Sequence, residues 1–109
     1  MKIKELVNLQ GVKSGQLAFM CPGCKQHHVI NRTWQFNENF ERPTIQPSVL
    51  ITYRHPKGYD NDNPAPLGYD GPFVEDICHS FVTDGKIQFL SDCTLHKLGG
   101  QTLELPEIE

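Results

Sequence analysis

The chain has 109 residues, enough for one hydrophobic core and in the size range where an extra staple adds usefully to stability. A formal charge of −3 gives it no general attraction for phosphate backbones or anionic membranes, which need clustered Lys and Arg. Apolar residues make up 38% and Gly and Pro together 17 positions, a composition that disfavours a helical bundle and points to strands and turns.

The first ten residues are too polar for the apolar stretch of a signal peptide, and no later segment approaches the length of a membrane span. The expectation is a cytoplasmic protein with reduced cysteines. In chain order, Ile3, Leu6, Val7 and Leu9 fit one strand or a short helical turn, ending at Gly11 and Lys13-Ser14-Gly15. Gln16 to Met20 reads as a buried strand broken by Cys21-Pro22-Gly23-Cys24, after which His28, Val29 and Ile30 lead to a second strand around Thr33 to Phe36. Pro43 and Pro47 keep residues 37–48 extended, feeding a strand at Val49 to Tyr53. Pro, Gly, Asn and Asp then dominate, which predicts a single domain over 1–109 carrying a long exposed loop at 54–73.

The most readable local structure spans Asp76 to Ser91, where two apolar-rich runs flank Asp84-Gly85, a strong hairpin signal. With those two residues as the turn, Thr83 faces Lys86, Val82 faces Ile87 and Ser80 faces Phe89. Alternation then puts Cys78, Val82, Ile87, Phe89 and the oncoming Cys93 on one face, with His79, Phe81 and Leu90 on the other. Ser91 fits an N-cap for a short helical turn through Asp92 to Leu98, closed by Gly99. Gln101 to Leu105 reads as a last strand. The expected class is α+β, mostly β: antiparallel hairpins with one helical turn, of treble-clef or zinc-ribbon type.

A Cys-x-x-Cys turn containing Pro and Gly aims two thiolates at one point, as a zinc knuckle requires, and the residues after Cys24 do not open a helix as a redox dithiol would. A closed tetrahedral site needs two more ligands. Cys93 and His96, three apart across the expected helical turn, make a Cys-x-x-His pair, and Cys78 shares the Cys93 face. The first choice is Cys21, Cys24, Cys93 and His96, with sets that use Cys78 in place of either Cys93 or His96 also open. His28 is an alternative ligand more in keeping with a supporting role beside the metal; His27, His79 and His55 read as surface or packed residues.

Cys21-Pro22-Gly23-Cys24, Arg42-Pro43-Thr44-Ile45-Gln46-Pro47-Ser48-Val49-Leu50, Cys78-His79-Ser80-Phe81-Val82 and Ser91-Asp92-Cys93-Thr94 with His96 and Gly100-Gln101-Thr102 together resemble a small family of uncharacterised bacteriophage and prophage proteins, often labelled ammonia monooxygenase. In that family the last motif runs Asp, Cys or Ser, Thr, His without a gap, whereas Leu95 stands between Thr94 and His96 here; a Ser in relatives favours Cys78 over Cys93 as ligand. The resemblance implies a phage-encoded metal-binding protein. The enzyme label does not fit: a membrane-embedded copper oxidase needs spanning segments and a copper-type histidine cluster, and the chain has neither.

Three function classes follow. The leading one is a zinc-stabilised, non-catalytic module that binds a macromolecular partner, a host or defence protein in a phage setting, through the 54–73 loop or the outer face of the hairpin. The alternative is a zinc-dependent hydrolase with an open coordination position and Asp92, Glu75 or His79 as proton acceptor. A Cys78–His79 nucleophile pair is disfavoured because adjacent strand residues point to opposite faces. Nucleic-acid binding through Lys25, Arg32, Arg42, Arg54 and Lys57, with Trp34, Phe36 and Tyr53 as stacking partners, is disfavoured by their scatter among acids.

Overall fold

The computed structural model describes residues 1–59 and 63–108. Eight strands follow in order: β1 (Ile3–Val7), β2 (Lys13–Cys21), β3 (Gln26–Asn31), β4 (Gln35–Phe36), β5 (Ile45–Pro56), β6 (Phe73–Thr83), β7 (Lys86–Phe89) and β8 (Thr102–Glu104). They form two antiparallel sheets, β1-β2-β3 and β4-β5-β6-β7-β8. The protein is all-β, and among the described residues there is no helix.

One face of each sheet supplies the core. Ile3, Leu17, Phe19, Cys21 and Ile30 from the first sheet meet Ile45, Val49, Cys78, Val82, Ile87 and Phe89 from the second, with Leu105 closing one end. Each of the Val, Leu, Ile and Phe side chains among them contributes about 1.5–3 kcal/mol by leaving water. The period of two that this requires is clearest in β7, where Ile87 and Phe89 are buried while Lys86 and Gln88 are exposed.

The Asp84-Gly85 hairpin has the expected register, Thr83 opposite Lys86, Val82 opposite Ile87 and Ser80 opposite Phe89. Both turn residues have positive φ, 52° and 79°, as a two-residue hairpin loop demands. The helical turn expected over 92–98 is corrected: these residues run as turns and bends. The N–H groups of Thr94 and Leu95, which a helical turn would use, both donate instead to the Ile77 carbonyl of β6. With that turn goes the treble-clef comparison. The expected loop is also shorter than 54–73, because Arg54 pairs with Glu75, His55 with Val74 and Pro56 with Phe73. Residues 60–62 of that loop lie outside the described residues.

Candidate active site and metal centre

Strand β5 reaches Ser48 through an irregular stretch. Ile45 pairs with Val82, but Val49 pairs with Ser80, so four steps along β5 match two along β6. Pro47 has no N–H to offer a ladder, and bulges of this kind re-aim the side chains they carry. Trp34 holds the bulge from the side, its indole N–H donating to the Ser48 carbonyl at 3.3 Å. Ser48 thereby presents its hydroxyl on the outer face of the second sheet, next to His79.

Three side chains form a row there. His79 Nε2 lies 2.9 Å from Ser48 Oγ, and His79 Nδ1 lies 2.9 and 3.2 Å from the two carboxylate oxygens of Asp92. A carboxylate only accepts, so Nδ1 carries the proton and Nε2 is left to accept from the serine hydroxyl. This is the hydrogen-bonding order of a serine nucleophile, a general base and an orienting acid. The row lies open on the sheet face, with Leu50 and Phe81 exposed beside it. Past Phe81, Thr83, Lys86, Gln88 and Thr102 line a shallow depression of about 250 Å³. A larger cavity of about 680 Å³, bordered by Cys24, Tyr53, His55, Tyr59 and His96, does not involve the row.

On the inner side of the same sheet Cys21, Cys24, Cys78 and His96 converge, their donor atoms all within 4.8 Å of one another. Cys78 Sγ is 3.9 Å from Cys21 Sγ and 3.4 Å from His96 Nε2. A tetrahedral ion with bonds of about 2.3 Å to sulfur and 2.0 Å to nitrogen has ligand-to-ligand edges of about 3.5–3.8 Å, so the donors stand at bridging separation and can hold a metal ion. The knuckle serves the site in two ways. Cys24 N–H donates to Cys21 Sγ at 3.4 Å, and Gly23 leaves room for the imidazole, since a Cβ there would sit 2.5 Å from His96 Nε2. Three crowded thiols cannot all ionise unaided. Hydrogen bonds from Cys24 and Cys78 draw the Cys21 thiol well below its ordinary range, while Cys24, bonded to Cys21, is pushed up to about 12, and Cys78 is raised for the same first reason. Burial lowers the His96 pKa, favouring the neutral, ligating imidazole.

Cys93 stands outside this cluster. Its thiol is engaged with the His79 backbone, accepting from the N–H at 3.1 Å and facing the carbonyl at 3.1 Å. His28 is buried against the edge of Phe19, with ring centroids 5.3 Å apart, and helps to lower the Cys21 thiol although its nitrogens have no hydrogen-bond partner among the described residues. His55 is tied down: Nδ1 meets the Pro56 and Tyr59 carbonyls and Nε2 the Asp76 carboxylate, which raises its pKa.

A family model described as "Bacterial ubiquitination-like system serine protease (BubE)" matches residues 2–90. The chain belongs to this family. No curated protein and no solved structure matches the chain. The BubE description corrects the expected function: it names a serine protease of a bacterial system, not a non-catalytic partner-binding module of a phage, and a serine protease uses a side-chain nucleophile where a zinc hydrolase uses metal-bound water. The matched region contains Ser48 and His79, and Asp92 follows two residues beyond its end. Among the described residues no helix is long and apolar enough to cross a membrane.

From the sequence, His79 falls on the outer face and reads first as a packed or surface residue, and His79 and Asp92 enter the chemistry only as alternative proton acceptors of a zinc hydrolase. Ser48 was passed over, for it lies in no glycine-flanked serine motif. A usable sign was nevertheless present: three of the four quoted motifs each contain one member of the row.

Proposed function

We propose that the chain is a serine protease that cleaves a polypeptide substrate within a bacterial ubiquitination-like system, using Ser48, His79 and Asp92. The observation that carries this reading is the continuous hydrogen-bonded order Ser48 Oγ, His79 Nε2, His79 Nδ1, Asp92 carboxylate. In the reaction Ser48 Oγ attacks the scissile carbonyl carbon as its proton passes to His79 Nε2. Asp92 holds the tautomer and stabilises the imidazolium; His79 then protonates the leaving amine, and water, deprotonated by the same imidazole, releases the acyl group from Ser48. An open sheet face with Leu50 and Phe81 exposed around the nucleophile suits an extended polypeptide better than a small, enclosed ligand.

Three thiolates and one imidazole are a donor set that favours Zn2+, held by Cys21, Cys24, Cys78 and His96. A site closed by four protein ligands supplies cross-linking of the fold, with the nucleophile belonging to Ser48. The test is covalent labelling with a fluorophosphonate and mapping of the modified peptide. Modification at Ser48 that disappears in Ser48→Ala and His79→Ala supports the proposal; equal labelling of Ser48→Ala overturns it.

A further inference from the structure

The ladder between β6 and β7 ends at Ser80 and Phe89, so Ile77 and His79 turn their peptide groups towards a side of β6 where no strand remains. Residues 90–96 fill that place without forming a strand. Leu90 N–H donates to the His79 carbonyl at 2.9 Å, Thr94 and Leu95 N–H to the Ile77 carbonyl at 3.0 and 3.1 Å, and Ile77 N–H to Thr94 Oγ1 at 2.9 Å. At the centre Cys93 does for His79 what a neighbouring strand would do, satisfying its N–H and facing its carbonyl through one sulfur. The residue before Cys93 is Asp92, which orients the His79 ring, and the segment ends at His96, 3.4 Å from the Cys78 thiol that precedes His79.

We propose that Cys93 is a positioning residue for the general base and that, with the Cys21–Cys24–Cys78–His96 centre, it closes a clamp on the His79–Asp92 pair. The inference rests on the serine-protease reading above. Cys78 and His96, if both ligate an ion there, would tie together the two ends of the stretch that carries base and acid, and the ion would take no part in bond making. The sulfur fixes the middle. A side chain without donor or acceptor at position 93 leaves the His79 N–H unpaired and its carbonyl held by Leu90 N–H alone, and a shift of about 1 Å in a catalytic group costs about 100-fold in rate.

The test compares wild type, Cys93→Ala, Cys93→Ser and Thr94→Val as full chains loaded with Co2+, whose visible spectrum reports thiolate and imidazole ligation. The rate of fluorophosphonate labelling at Ser48 and the turnover of p-nitrophenyl acetate are measured alongside. Cys93→Ala is expected to slow labelling about 10- to 100-fold and to lower kcat with KM within about twofold, with the Co2+ spectrum and metal content unchanged. Cys93→Ser, which can both donate and accept, restores the rate to within about threefold of wild type. Thr94→Val, an exposed and nearly isosteric change that folding tolerates, removes one anchor and slows labelling about threefold. Wild-type rates in both Cys93→Ala and Thr94→Val overturn the clamp alone, as does loss of the Co2+ thiolate spectrum in Cys93→Ala, which would make Cys93 a ligand. A wild-type protein that is not labelled at Ser48 overturns the protease reading and the clamp with it.

Discussion

Cys78 and His79 are consecutive residues of β6 that work on opposite sides of one sheet: the Cys78 thiol lies inside, 3.4 Å from His96 Nε2, and the His79 imidazole lies outside, 2.9 Å from Ser48 Oγ. The alternation of a strand is what separates them. The candidate metal site and the Ser48–His79–Asp92 row are therefore joined through a single peptide bond without sharing a side chain.

Replacing Asp92 by Asn keeps the shape of the row but lets the side-chain amide donate to Nδ1, which then accepts, so that Nε2 carries the proton and faces Ser48 as a donor. The expected loss is about 10⁴-fold in kcat with substrate affinity little changed. Steady-state kinetics on a peptide substrate cleaved by the wild-type protein would measure it, and a loss under tenfold would remove Asp92 from the row.

Chelation is expected to abolish both labelling of Ser48 and cooperative unfolding, and re-addition of Zn2+ to restore both. Cys78→Ser should copy the chelated protein, because it removes the ligand nearest to the base. Native mass spectrometry gives the ion per chain, and full activity in a demonstrably metal-free, folded protein would contradict the link between the two sites.

Gly23→Ala places a methyl where the His96 imidazole now sits, 2.5 Å from Nε2, and the ring must move away from the three thiols. Metal affinity is expected to fall about 10- to 100-fold, as when an orienting group of a metal site is lost. Competition with a chromogenic chelator reads the affinity directly; unchanged binding would mean that His96 is not a ligand.

Arg42 grips Asp84 at the hairpin tip with two hydrogen bonds of 2.7 Å, and this holds the Asp84 carboxyl below its usual range. The unfolded chain, with the higher carboxyl pKa, takes up its proton first as pH falls. The pair therefore contributes at neutral pH and loses that contribution as pH drops through the depressed folded value. Asp84→Asn keeps a residue suited to the turn and should unfold at a slightly lower temperature than wild type near neutrality, with the difference closing in acid. Both partners are exposed, so the gap is small. A gap that widens on acidification would exclude this account.

The parts of the fold that were legible in the sequence are those written in adjacent residues. Asp84-Gly85 sets the register of β6 and β7, and Cys21-Pro22-Gly23-Cys24 forms a knuckle, because the turn chemistry and the residues it serves lie within a few positions of each other. The segment after Ser91 misled because its Ser, its spacing of Cys93 and His96 and its Gly99 match a capped helical turn, yet the N–H groups that such a turn would use are claimed by the Ile77 carbonyl from β6. That competition is tertiary and leaves no local trace. The proposed catalytic row was hidden for a related reason: Ser48, His79 and Asp92 come from a bulge, a strand and an irregular segment, and the two extra residues between Ile45 and Val49 bring the serine to the histidine.

The division of labour along β6 has a consequence for quality control of the fold. A slip of β6 by one residue would turn every side chain over at once, carrying the Cys78 thiol to the solvent side and the His79 ring into the interior. A misregistered molecule would thus break up the Cys21–Cys24–Cys78–His96 cluster and the His79–Ser48 contact in the same step. On the proposed reading, correct pairing of β6 is therefore a shared requirement of the candidate metal site and of the Ser48–His79–Asp92 row.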